Sequence, residues 1–302
     1  MAADAGAPRA PIGVFDSGVG GLTVLRALRE ALPAQDFIYL GDTARLPYGT
    51  KSPETVVRYS LQCADALIAR GVSALVIACN TASASALPAL TLRHPSLPVI
   101  GVIEPGAQAA VQTSSSQHIA VIGTEGTIQG GAYQNAIHAR SAGARVSARA
   151  CSLFVALAEE GWTQGPVVEA VARRYLEPLF QQRDAPDTLV LGCTHFPVLI
   201  PALRAVLPAG VRIVDSAATT ARAVVERLGL GARVPGQGGA REGANAAAPG
   251  EGAARQRTGA GWPREGGRVV WLATDGAERF ARVGGTFLGA PLEADAVEIV
   301  DL

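Results

Sequence analysis

The sequence predicts an α/β protein of two pseudo-symmetric, doubly wound domains with mostly parallel sheets and an active site in the cleft between them. Three observations lead there. Short apolar runs alternate with helical stretches over residues 12–104, the pattern of a parallel sheet covered by helices. The order strand, Thr/Ser/Gly turn, helix, then strand, Cys, helix, strand restarts at His118 and runs to Asp215, over a period too long for a solenoid. Finally, two of the four cysteines fall at the same point of the repeated unit: Cys79 follows Leu75-Val76-Ile77-Ala78, and Cys193 follows Leu189-Val190-Leu191-Gly192. Ligands of open α/β sheets sit beyond the carboxyl ends of the strands, where both thiols are expected.

Pro11-Ile12-Gly13-Val14-Phe15 reads as the first buried strand, and Leu22 to Leu28, with apolar spacing of three and four, as the first helix. Between them Asp16-Ser17-Gly18-Val19-Gly20-Gly21 is either an anion cradle at a helix N-terminus or a plain tight turn, and it does not fit G-x-G-x-x-G. Phe37-Ile38-Tyr39-Leu40 is the second strand. The loop from Gly41 to Pro53 is long and polar, as functional loops are. A helix from Glu54 to about Arg70, the first cysteine strand, a helix opened by Asn80-Thr81 and a strand over Pro98–Ile103 follow.

In the second unit, a strand at His118–Gly123 leads through Thr124-Glu125-Gly126-Thr127 into a helix reaching about Arg140. A strand at Arg145–Ala150, a helix over Ser152–Glu160 stopped by Gly161 and a helix over about Pro166–Gln181 come next. The second cysteine strand, a helix entered near Phe196-Pro197 and a strand at Val211–Asp215 complete it. Ser216–Leu228 is helical. Residues 231–267, mostly Gly, Ala, Arg and Pro, are too poor in large apolar side chains to fold alone and are expected to be a disordered insertion. Arg268–Ala273 is a strand, Asp275-x-x-Glu278 fits a capping box, and a helix to about Phe287 and a strand near Ala296–Val300 finish the chain.

Composition narrows the function classes. The chain is 48% hydrophobic, and 26 basic residues balance 26 acidic ones, which argues against a nucleic-acid footprint or a polybasic membrane contact. No apolar run approaches the roughly 20 residues of a membrane span. Residues 1–10 are expected to be a disordered tail and not a signal peptide, which points to a cytoplasmic location and reduced cysteines. Cys63 and Cys151 read as small buried apolar residues.

A thiol at a helix N-terminus is favoured as thiolate, which predicts pKa values below about 8.5 for Cys79 and Cys193. Two thiols reaching one small molecule from opposite sides suit racemisation, in which one face loses a proton and the other gains one. Asp16 and His195 can orient or deprotonate the thiols. Glu159, in Ala158-Glu159-Glu160-Gly161, can pair with His195 or simply end a surface helix, and spacing alone favours the latter. Ser17, Tyr48, Asn80, Thr81 and Thr194 are donors suited to a carboxylate, joined by backbone N–H groups at Gly49 and the helix starts. A redox pair, a Cys–His nucleophile for acyl transfer, a metal site (for which Cys79, Cys193 and His195 make a poor signature) and a non-catalytic amino-acid-binding protein stay open beside this reading.

Several stretches together resemble bacterial glutamate racemases: Gly13-Val14-Phe15-Asp16-Ser17-Gly18-Val19-Gly20-Gly21-Leu22, Gly41-Asp42-Thr43-Ala44-Arg45-Leu46-Pro47-Tyr48-Gly49, Ala78-Cys79-Asn80-Thr81-Ala82, Gly101–Gly106, Leu191-Gly192-Cys193-Thr194-His195-Phe196-Pro197 and Thr274-Asp275-Gly276. The resemblance runs from about Pro11 onward, outside 231–267. It implies cofactor-independent interconversion of L- and D-glutamate for peptidoglycan, with no metal. Cys79 and Cys193 would be the acid/base thiols and Asp16, Glu159 and His195 their tuners. The substrate would be bound by Asp16, Ser17, Tyr48, Gly49, Asn80, Thr81, Thr194 and His195, with Thr124 and Thr127 added. It also implies a homodimer, a first domain of residues 11–104 plus 216–302 and a second of residues 105–215. Ser152 and Ala156 stand where relatives often carry prolines, which weakens the transfer to Glu159.

Overall fold

The computed structural model describes residues 10–230 and 266–302. The tail expected over 1–10 and the insertion expected over 231–267 lie outside the described residues, apart from Ala10, Gly266 and Gly267. Gly267 donates its N–H to the Pro33 carbonyl at 2.7 Å, and the strand expected from Arg268 begins at Val269.

The chain alternates strand and helix. The first unit comprises β1 (Ile12–Asp16), α1 (Leu22–Ala31), β2 (Phe37–Gly41), α2 (Pro53–Ile68), β3 (Ala74–Ile77), α3 (Asn80–Arg93) and β4 (Val99–Gly101). After α4 (Ile103–Thr113) the pattern repeats: β5 (His118–Gly123), α5 (Glu125–Gln129), α6 (Ala132–Arg140), β6 (Arg145–Ala150), α7 (Leu153–Glu159), α8 (Pro166–Phe180), β7 (Thr188–Gly192), α9 (Ile200–Val206) and β8 (Arg212–Asp215). The chain ends with α10 (Ser216–Arg227), β9 (Val269–Ala273), α11 (Ala277–Leu288) and β10 (Val297–Ile299).

Two sheets result, ordered β10-β9-β2-β1-β3-β4 and β6-β5-β7-β8, with every pairing among the described strands parallel. The first four strands and the second four follow the same spatial order, so β3 and β7, the strands before Cys79 and Cys193, are equivalent. β9 and β10 extend the first sheet beyond β2, which places the last segment of the chain there.

Apolar side chains alternate between the faces of each sheet. Ile12 and Val14 of β1, Ala120 and Ile122 of β5, and Leu189 and Leu191 of β7 share one continuous core that crosses both halves. Phe15, Leu40 and Ile77 pack on the far face of the first sheet, and Ile119, Val121 and Val190 on the far face of the second. Strands buried on both faces explain why these runs read as unbroken apolar stretches. On the shared side α1 lies against α10 and α11, burying Leu22, Val24, Leu25 and Leu28. Each such side chain contributes about 1.5–3 kcal/mol when fully buried.

Several elements differ from their sequence expectations. The strand expected to reach Ile103 stops at Gly101, and α4 begins at Ile103; Pro105 lies in its first turn, where a missing N–H costs nothing. The helix expected to reach Arg140 is two helices, because Gly131 adopts a left-handed φ of 65°. Asp275 does not cap α11: Gly276 holds that position with φ 63°, and the Asp275 carboxylate instead accepts the Gly276 N–H at 2.7 Å. Among the described residues no helix is long and apolar enough to cross a membrane.

Gly41 lies where the end of β2 meets the Gly18 loop, and an added Cβ would overlap the Gly18 carbonyl oxygen and come within 2.8 Å of the Phe280 ring. Backbone at that contact cannot rotate away. We expect Gly41→Ala to lower stability by about 1–3 kcal/mol, read as a lower urea midpoint with an unchanged m-value; an unaltered midpoint would refute the close packing.

Candidate active site

Both cysteines end buried strands and line a single small cavity. Its free space is about 30 Å³, room for little more than one water molecule. Ten of the residues singled out from the sequence line it: Ser17, Tyr48, Gly49, Cys79, Asn80, Thr81, Thr124, Cys193, Thr194 and His195. The other three stand one layer behind. Asp16 is fully buried at the end of β1, accepting the Gly18 N–H at 3.0 Å and the Thr194 hydroxyl at 3.5 Å. Thr127 bonds Thr81 at 3.1 Å and Thr124 at 2.9 Å, and Glu159 lies behind His195.

The two thiols have different surroundings. Cys79 is the N-cap of α3; its sulfur accepts the Ala82 N–H at 3.4 Å and donates to the Ser17 hydroxyl at 3.6 Å. The helix terminus does not prevail as expected. Burial, reinforced by the Asp16 carboxylate, pushes the Cys79 pKa up to about 12, against the opposing pull of the Ala82 and Ser17 bonds; Cys193 is close enough to raise it further. Cys193 has no α-helix at its back. Residues 196–199 form a short 3-10 turn before α9, and the sulfur lies 3.8 Å from Nδ1 of His195.

His195 links that sulfur to a carboxylate. Its Nε2 is 3.1 Å from Glu159 Oε1, and its ring packs edge-on against Phe287 of α11. Burial disfavours its charge, but the hydrogen bonds to Cys193 and Glu159, with further help from Asp16, push its pKa up to about 10. Glu159, itself partly desolvated, is nevertheless held below the usual glutamate range by His195 and Arg279. The surface-helix reading of Glu159 is therefore replaced: it ends α7, yet points inward with its side chain 13% exposed.

Two features were not legible beforehand. Arg279, on α11, donates to Glu159 Oε2 at 2.8 Å, extending the chain Cys193–His195–Glu159 across the two halves of the molecule. Tyr133 and Ser216 bond Asn80 Oδ1 at 2.8 and 3.3 Å, while Asn80 Nδ2 is buried without a partner. Such an unsatisfied donor costs about 1–3 kcal/mol. Arg279 and Ser216 lie more than a hundred residues from the groups they serve, so no local pattern marks them.

The glycines of 16–21 are explained by close packing. A Cβ on Gly20 would collide with His195 and Thr194, and one on Gly21 would stand 2.6 Å from Asp16 Cβ. Gly49 likewise lies against Thr124 of the other half. The Tyr48 hydroxyl donates to Asp42 and lies 3.8 Å from the Cys63 sulfur. Cys63 accordingly sits in a buried polar cluster with Arg45 and Asp42, and burial pushes its pKa up to about 12. All four cysteines are free thiols, and no three His, Cys, Asp or Glu side chains form a metal-binding group among the described residues.

The chain is similar to several known proteins. A glutamate racemase of Geobacter metallireducens is 55% identical over 221 residues, covering 73% of this chain and 81% of that protein. One from Koribacter versatilis is 46% identical over 295 residues, covering 97% and 98%. The crystal structure of Francisella tularensis glutamate racemase in complex with D-glutamate superposes with a TM-score of 0.79 at 32% identity, covering 98% of each chain. The family described as Asp/Glu/Hydantoin racemase matches residues 12–224, well over half of the chain, and the chain belongs to that family.

Proposed function

We propose that the chain is a glutamate racemase, interconverting L- and D-glutamate by cofactor-independent proton transfer at Cα between Cys79 and Cys193, and so supplying D-glutamate for peptidoglycan. The observation that carries this reading is the convergence of two thiols, from equivalent strand ends of two sheets, on one cavity. The named relatives support the choice of glutamate, the Francisella tularensis structure by its bound D-glutamate. We take residues 11–104 with 216–302 as one domain and 105–215 as the other, and a cytoplasmic homodimer as the working assembly.

One turn of the reaction moves two protons. One sulfur takes the Cα proton from its face while the other sulfur gives its own proton to the opposite face; configuration inverts, and the two sulfurs exchange protonation states. The resting surroundings favour one starting arrangement. Buried beside Asp16, Cys79 is held in its protonated form and is the donor of that arrangement, while Cys193 lies 3.8 Å from the His195 ring. The reverse arrangement, reached after turnover, serves the other enantiomer.

General acid–base help contributes about 10²–10⁴-fold, so the remaining acceleration must come from positioning and fixed dipoles. The Thr81 and Thr124 hydroxyls, which line the cavity and are held from behind by Thr127 at 3.1 and 2.9 Å, and the Asn80 amide supply donors for the carboxylates in a buried site. The site has about 30 Å³ of free space, and we take admission of glutamate to involve opening and re-closing of the cleft.

Two predictions follow from these assignments. In D₂O the wild-type protein should place deuterium at Cα of both enantiomers, and Cys79→Ser or Cys193→Ser should each lower racemisation by at least about 10²-fold. A wild-type protein that binds glutamate and leaves that proton unexchanged would rule the reading out. For His195 the folded pKa, about 10, lies above the ordinary value of about 6.5. The stability its charge contributes is therefore complete below about pH 6.5 and lost as pH rises through about 10. An NMR titration should find the His195 midpoint near 10 in the wild type and lower in Glu159→Gln; a wild-type midpoint at the ordinary value would refute the Cys193–His195–Glu159 coupling.

A further inference from the structure

We propose that Tyr133, with Ser216, is a positioning residue that aims the Asn80 amide at a carboxylate of the bound substrate, an inference that rests on the glutamate racemase reading above. Asn80 is 2% exposed and lines the cavity shared by the two thiols. Its two amide ends are treated differently. Oδ1 accepts the Tyr133 hydroxyl at 2.8 Å and the Ser216 hydroxyl at 3.3 Å. Nδ2 is buried with no hydrogen-bond partner. An N–H₂ group left unpaired beside a cavity demands an acceptor, and an amino-acid substrate offers one in its carboxylates.

The orientation of that amide is set from behind. The single Ser216 hydroxyl proton is shared between Asn80 Oδ1 and the Leu191 carbonyl, the latter at 3.1 Å, and the Tyr133 hydroxyl lies 3.3 Å from Ser216, so the three polar side chains form one cluster anchored to β7. Tyr133 is fully buried, and its hydroxyl donates to Asn80 Oδ1. With Oδ1 engaged by these hydroxyls, Nδ2 is the end of the amide left free for a substrate.

The tyrosine also has a fitted slot. A Cβ on Gly106 would lie 3.1 Å from the Tyr133 hydroxyl oxygen, and one on Gly192 would lie 3.0 Å from its ring. The cluster joins three segments remote in sequence: Asn80 opens α3 beside the six-stranded sheet, Tyr133 is on α6 beside the four-stranded sheet, and Ser216 opens α10. Tyr133 touches no reacting atom. Its effect passes through Asn80.

The test is a double-mutant cycle on the full chain, with initial rates for L- and D-glutamate and thermal melting of every variant. Tyr133→Phe keeps the ring and deletes the hydroxyl. We expect KM for both enantiomers to rise roughly tenfold, as for the loss of one charge-assisted bond, with kcat changing much less. Asn80→Ala should raise KM at least as far, and adding Tyr133→Phe to it should change KM no further. Ser216→Ala provides a second cycle with the same expected loss of effect in the Asn80→Ala background, and it decides the matter if Tyr133→Phe melts early. An unchanged KM in Tyr133→Phe, or KM effects that multiply independently in both cycles, would overturn the proposal while leaving the racemase reading intact. A wild-type protein with no exchange at Cα of glutamate would instead overturn the parent reading.

Discussion

The Asp16 carboxylate is fully buried at the end of β1, and its field reaches both sides of the cleft. It raises the pKa of Cys79 and, from the same position, favours the protonated form of His195 beside Cys193. Burial raises the pKa of Asp16 itself, against the opposing pull of His195 and of the Gly21, Gly18 and Ser17 backbone bonds. Gly21 is glycine because a Cβ there would press on Asp16 itself. The surroundings of both thiols thus share one carboxylate kept away from water.

Burial outweighs the helix terminus in this site. Cys79 occupies the N-cap of α3, where a dipole argument favours the thiolate, yet desolvation and a neighbouring carboxylate move it the other way. A sequence pattern reports the helix start but not the depth at which it lies. For the same reason Glu159 looked like the end of a surface helix: the Glu-Glu-Gly stop was legible, and the His195 ring standing against it was not.

What could be read in advance follows the range of the interactions. The alternation of strands and helices, the repeated order and the matched positions of Cys79 and Cys193 are carried by contiguous residues, and they appear in the two sheets as β2-β1-β3-β4 and β6-β5-β7-β8. Asn80, Thr81 and Thr194 were legible because they adjoin the cysteines. Tyr133, Ser216 and Arg279 were not, because their partners lie on other elements and become neighbours only through tertiary packing. Tyr48 shows the converse: a donor in a functional loop whose hydroxyl is already taken by Asp42.

The equivalence of β3 and β7 places the two thiols in nearly matching frames, but a chain of L-residues cannot build a true mirror image. The mismatch is visible in their companions, Ser17 and Asp16 on one side, His195 and Glu159 on the other. For a reaction whose substrate and product are enantiomers in achiral water, thermodynamics forbids any net preference at equilibrium. The catalytic efficiencies of the two directions must therefore be equal, however unlike the two sides become. Evolutionary change in either set of companions is free to redistribute tightness of binding against speed of turnover for each enantiomer, and can never convert the enzyme into a one-way device.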